Sequence, residues 1–559
     1  MDKKKTFGIL FLILVAAVLL RLIHIDKQEG MWNDEYLTWE IAKAAFPKEF
    51  FEAILRNCHA PLHYLYLKGW MCLFGESDVV LRLSSVFAGV LSVIVMFFAG
   101  RNAGKKVSDS NGLIAAGFCA ISGFLIYFSQ EVRIYSLLFL LSALNVYTAL
   151  KTMDNPCKKN CIFFALTSLL VMLEHTIGFV FVFFSSIGVL LFTSKNNKFK
   201  KFFLSTLLIA LVAFIPVGIF IYNIMFNQQY FSQWWAPFSL AKLGFFFTDL
   251  FSPYIINITN APPTFSSMIY DETVNFGFII FSLVPLVIAS LFILRGLFSK
   301  DKNVKYFVLT SAGVYLTVFA ASCFGKIVFL TKYMTEIYPA LILLMVLGIS
   351  SFKNKGIKIS AITAYCVLSL FFILVSQYSP VNLVRGEGQK IPVDVLHAYN
   401  KMPDDKVVFL YYPKERFSKY DNTLLTDKNV HHISKYDFTF IKDENEIMKD
   451  TYKDGKNTYK TTFLSFKNKG LDNYLAENVF SGIKKGDKFF LVDFSPVSIF
   501  SEKGMNDILT SEKKYNETPF LYLVFSYIRN YIYDKTAVRL SLNDVFEYQS
   551  WRVFVFEKT

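Results

Sequence analysis

Long apolar runs alternate with short polar ones over the first two thirds of the chain, and then the alternation stops. A helix that crosses a ~30 Å hydrocarbon core needs roughly 20 apolar residues. Runs near that length fall at about 7–23, 80–100, 110–128, 135–150, 161–174, 177–193, 202–223, 274–294, 306–324, 334–352 and 358–376. The pattern predicts a polytopic α-helical membrane protein, with about 11 transmembrane helices within residues 1–377. The remainder, 378–559, reads as one soluble α/β domain. Lys406–Tyr412, Lys488–Val492 and Trp551–Phe556 have the aromatic and β-branched content of strands, and helical periodicity lies near 394–402, 471–484 and 502–514.

The polar intervals orient this list. With the N-terminus cytoplasmic, the inner loops carry Arg101, Lys105 and Lys106; Lys151, Lys158 and Lys159; Lys195, Lys198, Lys200 and Lys201; Arg295, Lys300, Lys302 and Lys305; and Lys353, Lys355 and Lys358. Every short, strongly basic loop falls on one side, as the positive-inside tendency requires. An odd number of spans then puts 378–559 outside. Lys3, Lys4 and Lys5 precede the first run, but Arg21-Leu22-Ile23-His24 follows it where a signal peptide would show small residues, so a retained span is expected.

Composition sharpens this picture. Of the residues, 54% are hydrophobic, and mean hydropathy is +0.40. The net charge of +14 comes almost wholly from 1–377, with 31 basic against 19 acidic residues; 378–559 has 27 against 25. The excess therefore belongs to membrane loops, and nucleic acid is excluded as a partner. None of the seven cysteines lies beyond Cys366, so the polar tail needs no disulfide. Cys157 and Cys161 lack a second Cys/His pair for zinc.

Acidic residues sort the other way. Only Asp2, Asp109, Asp154 and Asp301 fall on the inner side, and the other acids of 1–377 lie towards the outer face. The outer loop 24–79 holds Asp34-Glu35 and, further on, His59 and His63, with short interfacial helices expected near Glu40–Phe46 and Phe50–Leu55. The second long outer loop, 224–272, holds Trp234-Trp235 and Phe245 to Phe247, suited to a lid or to an aromatic belt.

Several outer-face groupings can carry chemistry. A carboxylate at Asp34 or Glu35 can serve as general base. Ser129-Gln130-Glu131-Val132-Arg133-Ile134-Tyr135 occupies a hairpin tip, where Arg133 needs Glu131 or a bound anion as partner. Arg82 stands at the outer start of the second run, placed either to snorkel or to bind. Lys326, Lys332 and Tyr333 are cationic or polar on the outer side, which a phosphate ligand would explain. Glu174-His175, with His59 and His63, offers a possible divalent metal site, but no established ligand spacing is present. Carboxylates from one loop and cations from others suit transfer from a phosphate-bearing lipid, the cations stabilising charge on the departing phosphate.

At these residues the chain resembles a known family. Asp34-Glu35 after the first span, "HAPLHY" at 59–64, "LRLSS" at 81–85 and "SQEVRIYSL" at 129–137 are similar to the GT-C glycosyltransferases, specifically the protein O-mannosyltransferase and aminoarabinose transferase group. "TKYMTEIYPAL" at 331–341 is similar to a later family segment, with Lys332 where Arg is usual. The resemblance implies inverting transfer of a monosaccharide from a polyprenyl-phosphate sugar to an extracytoplasmic lipid, wall polysaccharide or protein. It maps the catalytic aspartate onto Asp34, beside Glu35, and the donor-phosphate contacts onto Arg133, Lys332 and Tyr333. Glu131, Tyr135, Arg82, His59 and His63 join them as substrate-binding candidates. Some relatives hold a metal with a His and a Glu, for which Glu131 and His175 are weak candidates. The rival readings are a transporter or flippase for lipid-linked sugars, which would place ionisable groups mid-span, and a non-catalytic scaffold.

Overall fold

The computed structural model describes residues 2–26, 30–55, 60–193, 200, 202–208, 211–212, 215, 241–252, 280–299, 301–323, 329–377, 390–399, 401–402, 404–409, 417, 419–421, 423–432, 439–454, 457–469, 484–494, 540–548 and 551–558. His59, Lys326, Trp234-Trp235, most of the run 202–223 and the helical patterns 471–484 and 502–514 lie outside them. The chain divides into two compact units: 1–27, 34–261 and 269–383 in one, and 28–33, 262–268 and 384–559 in the other.

The first unit is a helical bundle. Its elements are α1 (Lys3–Leu22), α2 (Asn33–Lys43), α3 (Lys48–Leu55), α4 (Leu62–Phe74), α5 (Asp78–Arg101), α6 (Asp109–Ala120), α7 (Gly123–Ser129), α8 (Tyr135–Asp154), α9 (Lys158–Glu174) and α10 (Gly178–Phe192). Beyond these come α11 (Ala241–Phe251), α12 (Val284–Leu297), α13 (Lys302–Cys323), a 3-10 turn at Thr331–Ile337, α14 (Tyr338–Ser350) and α15 (Lys355–Gln377). Among the described residues, seven helices are long and apolar enough to cross a membrane, or eight if the bent pair α6–α7 is one span. Two expected runs form shorter helices: α9 with 17 residues and α10 with 15. Pro285 lies in the first turn of α12, just after a turn at Leu283, where a proline is tolerated because that turn's N–H groups have no partner within the helix.

Helix starts follow the local sequence. Ser77, Ser108 and Ser122 each accept a bond from the backbone three residues on, capping α5, α6 and α7. Packing then sorts centre from rim. The span of α14 is 89% buried, whereas those of α1, α12 and α15 are 28% buried. Phe7, Phe11 and Leu12 of α1 are each more than 60% exposed. So wide an apolar perimeter is suited to lipid rather than water. Where α12 meets α14, a Cβ at Gly296 or Gly348 would collide with the facing backbone, so small residues allow this close crossing.

The basic loops meet one another at one end of this unit. Arg101 pairs with Asp109 at 2.7 Å, and Thr6 donates to the same carboxylate. Lys302 pairs with Asp154 at 2.9 Å, while the Asn303 amide donates to Ala103 O and Asn102 O. Ser350 bonds Asn111, and Arg295 donates to Ser351 O.

In the second unit, a five-stranded mixed sheet runs in the order β2 (Val430–His432), β1 (Lys406–Phe409), β5 (Lys488–Phe494), β7 (Trp551–Lys558), β6 (Leu540–Tyr548). β1 is parallel to both neighbours, and β7 is antiparallel to both of its own. Val407, Phe409, Phe490, Val492 and Val553 form its core with Val393 and Leu396 of α16 (Ile391–Ala398). A hairpin of β3 (Thr439–Asp454) and β4 (Asn457–Lys469) was not expected from the sequence.

Candidate active site

At the other end of the bundle from the basic loops, α2 begins at Asn33, earlier than the interfacial helix expected from Glu40. Asp34 and Glu35 therefore occupy its first turn, where the unpaired N–H groups of a helix start favour acidic side chains. The opposite end of α2 is fixed by Lys68 of α4, whose ammonium donates to Ala42 O at 3.0 Å and Ala44 O at 2.7 Å. Trp70 Nε1 and Tyr66 Oη in turn tie α4 to the backbone of α5, each at 2.8 Å.

Adjacent residues on a helix point about 100° apart, and the two carboxylates go to different partners. Glu35 is fully buried against Arg82: Nε to Oε1 is 3.1 Å and Nη2 to Oε2 is 2.9 Å. Glu35 Oε1 also accepts from Val132 N, and Arg82 Nη1 donates to Ile25 O. Arg82 does not snorkel; it is fully buried in a bidentate pair that ties α2, α5 and the α7–α8 hairpin together. Both Glu35 oxygens are thus engaged, one by Arg82 and Val132 N and the other by Arg82.

Asp34 is 29% exposed at its side chain and pairs with Arg133, Oδ2 to Nη2 at 3.2 Å. The carboxylate facing Arg133 is thus that of Asp34, where Glu131 was expected; Glu131 instead accepts from Arg133 N through its backbone carbonyl. The guanidinium also donates from Nη1 to Asp34 O (3.1 Å) and Thr38 Oγ1 (3.0 Å), and Thr38 donates back to Asp34 O at 2.7 Å. Burial alone would lower the Arg133 pKa; the Asp34 carboxylate and nearby tyrosines more than offset this and hold it above its usual value. Arg133 Nε is buried and has no hydrogen-bond partner among the described residues, and the Tyr135 hydroxyl is buried beside the same guanidinium.

The 3-10 turn closes the site from the far side. Thr331 anchors it, donating to Asp249 Oδ2 at 2.6 Å. Lys332 Nζ lies 5.7 Å from the Tyr135 ring centre and 5.9 Å from that of Tyr333. Tyr333 stands 5.7 Å from the His175 ring, and His175 Nδ1 bonds Glu336 Oε1 at 2.9 Å. One position earlier on α9, Glu174 faces His63 of α4 at 3.4 Å. Burial, followed by the charge of Arg133, pushes the His63 pKa down to about 3, so its imidazole is neutral.

Asp34, Arg133, Tyr135, Lys332 and Tyr333 are therefore brought together, with Glu35–Arg82 on the other side of α2. His175 and Glu131 do not join a third ligating side chain into a metal-type group among the described residues. Thr38, Asp249 and Glu336 were not singled out from the sequence. Glu336 had a signal, being an acid next to an apolar run of membrane length; Thr38 had none.

Residues 58–220 match the family described as dolichyl-phosphate-mannose-protein mannosyltransferase. The chain resembles that group. Its fold is similar to that of ArnT from Cupriavidus metallidurans bound to undecaprenyl phosphate: 9% identity, 98% of each chain covered, TM-score 0.50. Archaeoglobus fulgidus oligosaccharyltransferase in its apo form also aligns, at 10% identity over 100% of this chain and 89% of the other, with TM-score 0.46. No curated protein matches.

Proposed function

We propose that the protein is an integral-membrane inverting glycosyltransferase. It moves a monosaccharide from a polyprenyl-phosphate sugar to an extracytoplasmic lipid, wall polysaccharide or protein. In this reading the N-terminus is cytoplasmic, about 11 helices cross the membrane, and both loop 24–79 and a soluble α/β domain at 378–559 lie outside. The observation that carries the reading is the set of buried donors around a part-exposed carboxylate. Arg133 Nε has no hydrogen-bond partner among the described residues, the Tyr135 hydroxyl is buried beside the same guanidinium, and Lys332 makes no ion pair there. Such a set suits a lipid phosphate, which accepts from a guanidinium fork and is attracted by a nearby ammonium.

Asp34 Oδ accepts the proton of the acceptor hydroxyl as its oxygen bonds to the anomeric carbon. The bond from that carbon to the phosphate oxygen breaks, and its electron pair leaves with the polyprenyl phosphate. Arg133 and Lys332 stabilise the charge that develops there. Attack opposite the leaving phosphate inverts the anomeric centre. Arg133 pairs with Asp34 and also reaches the phosphate, so it holds base and leaving group in one frame.

The test uses purified full-length protein with a panel of undecaprenyl-phosphate-linked sugars and an envelope extract as acceptor. Wild type is expected to release undecaprenyl phosphate from one of them. Asp34→Asn should bind that donor normally and lose about 10²–10⁴-fold in turnover. Near-normal turnover in Asp34→Asn would overturn its role as base, and failure of wild type to bind any such lipid would overturn the function.

A further inference from the structure

The Asp34–Arg133 mechanism makes no use of the second buried polar pair, His63 with Glu174. We infer that these two side chains form a recognition subsite for the hydroxyl groups of the donor's sugar ring, beside the Arg133 phosphate site. The inference rests on the glycosyltransferase reading and names a specificity element within it.

The two His–Glu pairs of this region differ. His175 Nδ1 and Glu336 Oε1 are 2.9 Å apart and hydrogen-bonded. His63 Nδ1 and Glu174 Oε1 are 3.4 Å apart without a hydrogen bond, and the residues are 1% and 0% exposed. Both nitrogens of His63 and both oxygens of Glu174 are buried with no hydrogen-bond partner among the described residues. An unsatisfied buried polar group costs about 1–3 kcal/mol, so four together are a poor way to fasten α4 to α9. Nor is the pair a salt bridge, because burial and the Arg133 charge keep His63 neutral.

What such a pair recognises follows from its chemistry. The carboxyl of Glu174, when ionised, has two acceptor oxygens, and a neutral imidazole has one donor and one acceptor. A ligand that matches them presents O–H donors and acceptors on neighbouring atoms, which describes the vicinal hydroxyls of a sugar. A phosphate matches poorly, because neither the Glu174 carboxyl nor the neutral His63 imidazole supplies a positive charge. The phosphate belongs with Arg133 and Lys332; Tyr333, beside Lys332, stands 5.7 Å from the ring of His175, the neighbour of Glu174, so the two groups suit the two halves of one sugar phosphate. Tyr66, whose ring lies 6.4 Å from that of His63, provides an aromatic wall next to it.

Full-length Glu174→Gln and His63→Asn are to be compared with wild type for binding to undecaprenyl phosphate and to undecaprenyl-phosphate-linked mannose, glucose and galactose. Wild type is expected to prefer one sugar-charged lipid over the bare carrier. Each variant should lose about tenfold or more in affinity for that lipid, as when a polar site loses a hydroxyl partner, while binding the bare carrier within twofold of wild type. A retained preference, an equal loss for bare and charged lipid, or no preference in wild type would each overturn the subsite. Wild type binding none of the four lipids would instead overturn the functional reading. A cooperative melt at pH 7.5, above the window in which His63 titrates, at a temperature no lower than that of wild type shows that the fold is intact in each variant.

Discussion

The two ends of the helical unit use the same residue types in opposite ways. At the basic end, the side chains of Arg101–Asp109 are 33% and 22% exposed, and those of Lys302–Asp154 are 48% and 41% exposed. Exposed pairs like these contribute only about 0–1 kcal/mol; they lie between loops that the helices already bring together. At the other end, Arg82–Glu35 is fully buried, and Arg133, His63, Glu174 and Glu336 are nearly so. Charge there has been taken out of water at a real cost, and excellent geometry is needed to offset it. The difference separates the two ends: the end that bears the cost of buried ion pairs is the end that holds the proposed site.

The largest test asks which end faces out. In a cysteine-free background, a cysteine at Glu52 is expected to react with an impermeant thiol reagent added outside intact cells, and one at Lys106 to remain unlabelled. Both positions are exposed on the protein. The reverse pattern would place the Asp34 site in the cytoplasm and remove the proposed acceptors.

Arg82→Met leaves Glu35 buried without its cation and should destabilise the protein by about 3–5 kcal/mol, seen as a clear drop in melting temperature. Arg82→Met with Glu35→Leu should recover part of that loss. A small effect of the single change would erase the contrast between the ends.

The pH dependence has a defined sign. The unfolded chain protonates His63 near its ordinary 6.5, whereas the folded protein resists protonation until about 3. Between those values the unfolded state binds the extra proton, so stability rises with pH across the window. His63→Asn should flatten the melting-temperature curve between pH 4.5 and 6.5, removing a slope of up to ~1.4 kcal/mol per pH unit. An unchanged slope would mean that His63 titrates normally.

Arg133→Lys keeps the charge and loses the planar fork. About tenfold weaker binding of undecaprenyl phosphate is expected, with melting temperature nearly kept; unchanged binding would leave Arg133 only as the partner of Asp34. The smallest effect is expected at the basic end, where Arg101→Gln should cost about 0–1 kcal/mol. A loss as large as that of Arg82→Met would show that both ends depend equally on their ion pairs.

The sequence by itself determined the membrane character of the first unit and pointed to most residues of the candidate site. Apolar runs and the alternation of basic loops are local properties, legible because the bilayer sets a fixed length and a fixed sign rule. Asp34, Arg133, Tyr135, Lys332 and Tyr333 were legible as polar residues beside spans, and the divergence of Asp34 from Glu35 follows from helix geometry. Partner choice was not legible. Only the tertiary structure sends Glu35 to Arg82, 47 positions away, and Asp34 to Arg133, 99 positions away. It alone uses Arg21 to bond Ala120 O and Cys119 O at the 56° break between α6 and α7. It alone separates a bonded His175–Glu336 from an open His63–Glu174. Such pairings depend on which helix faces meet, and that is fixed by packing over the whole bundle rather than by any local stretch of sequence.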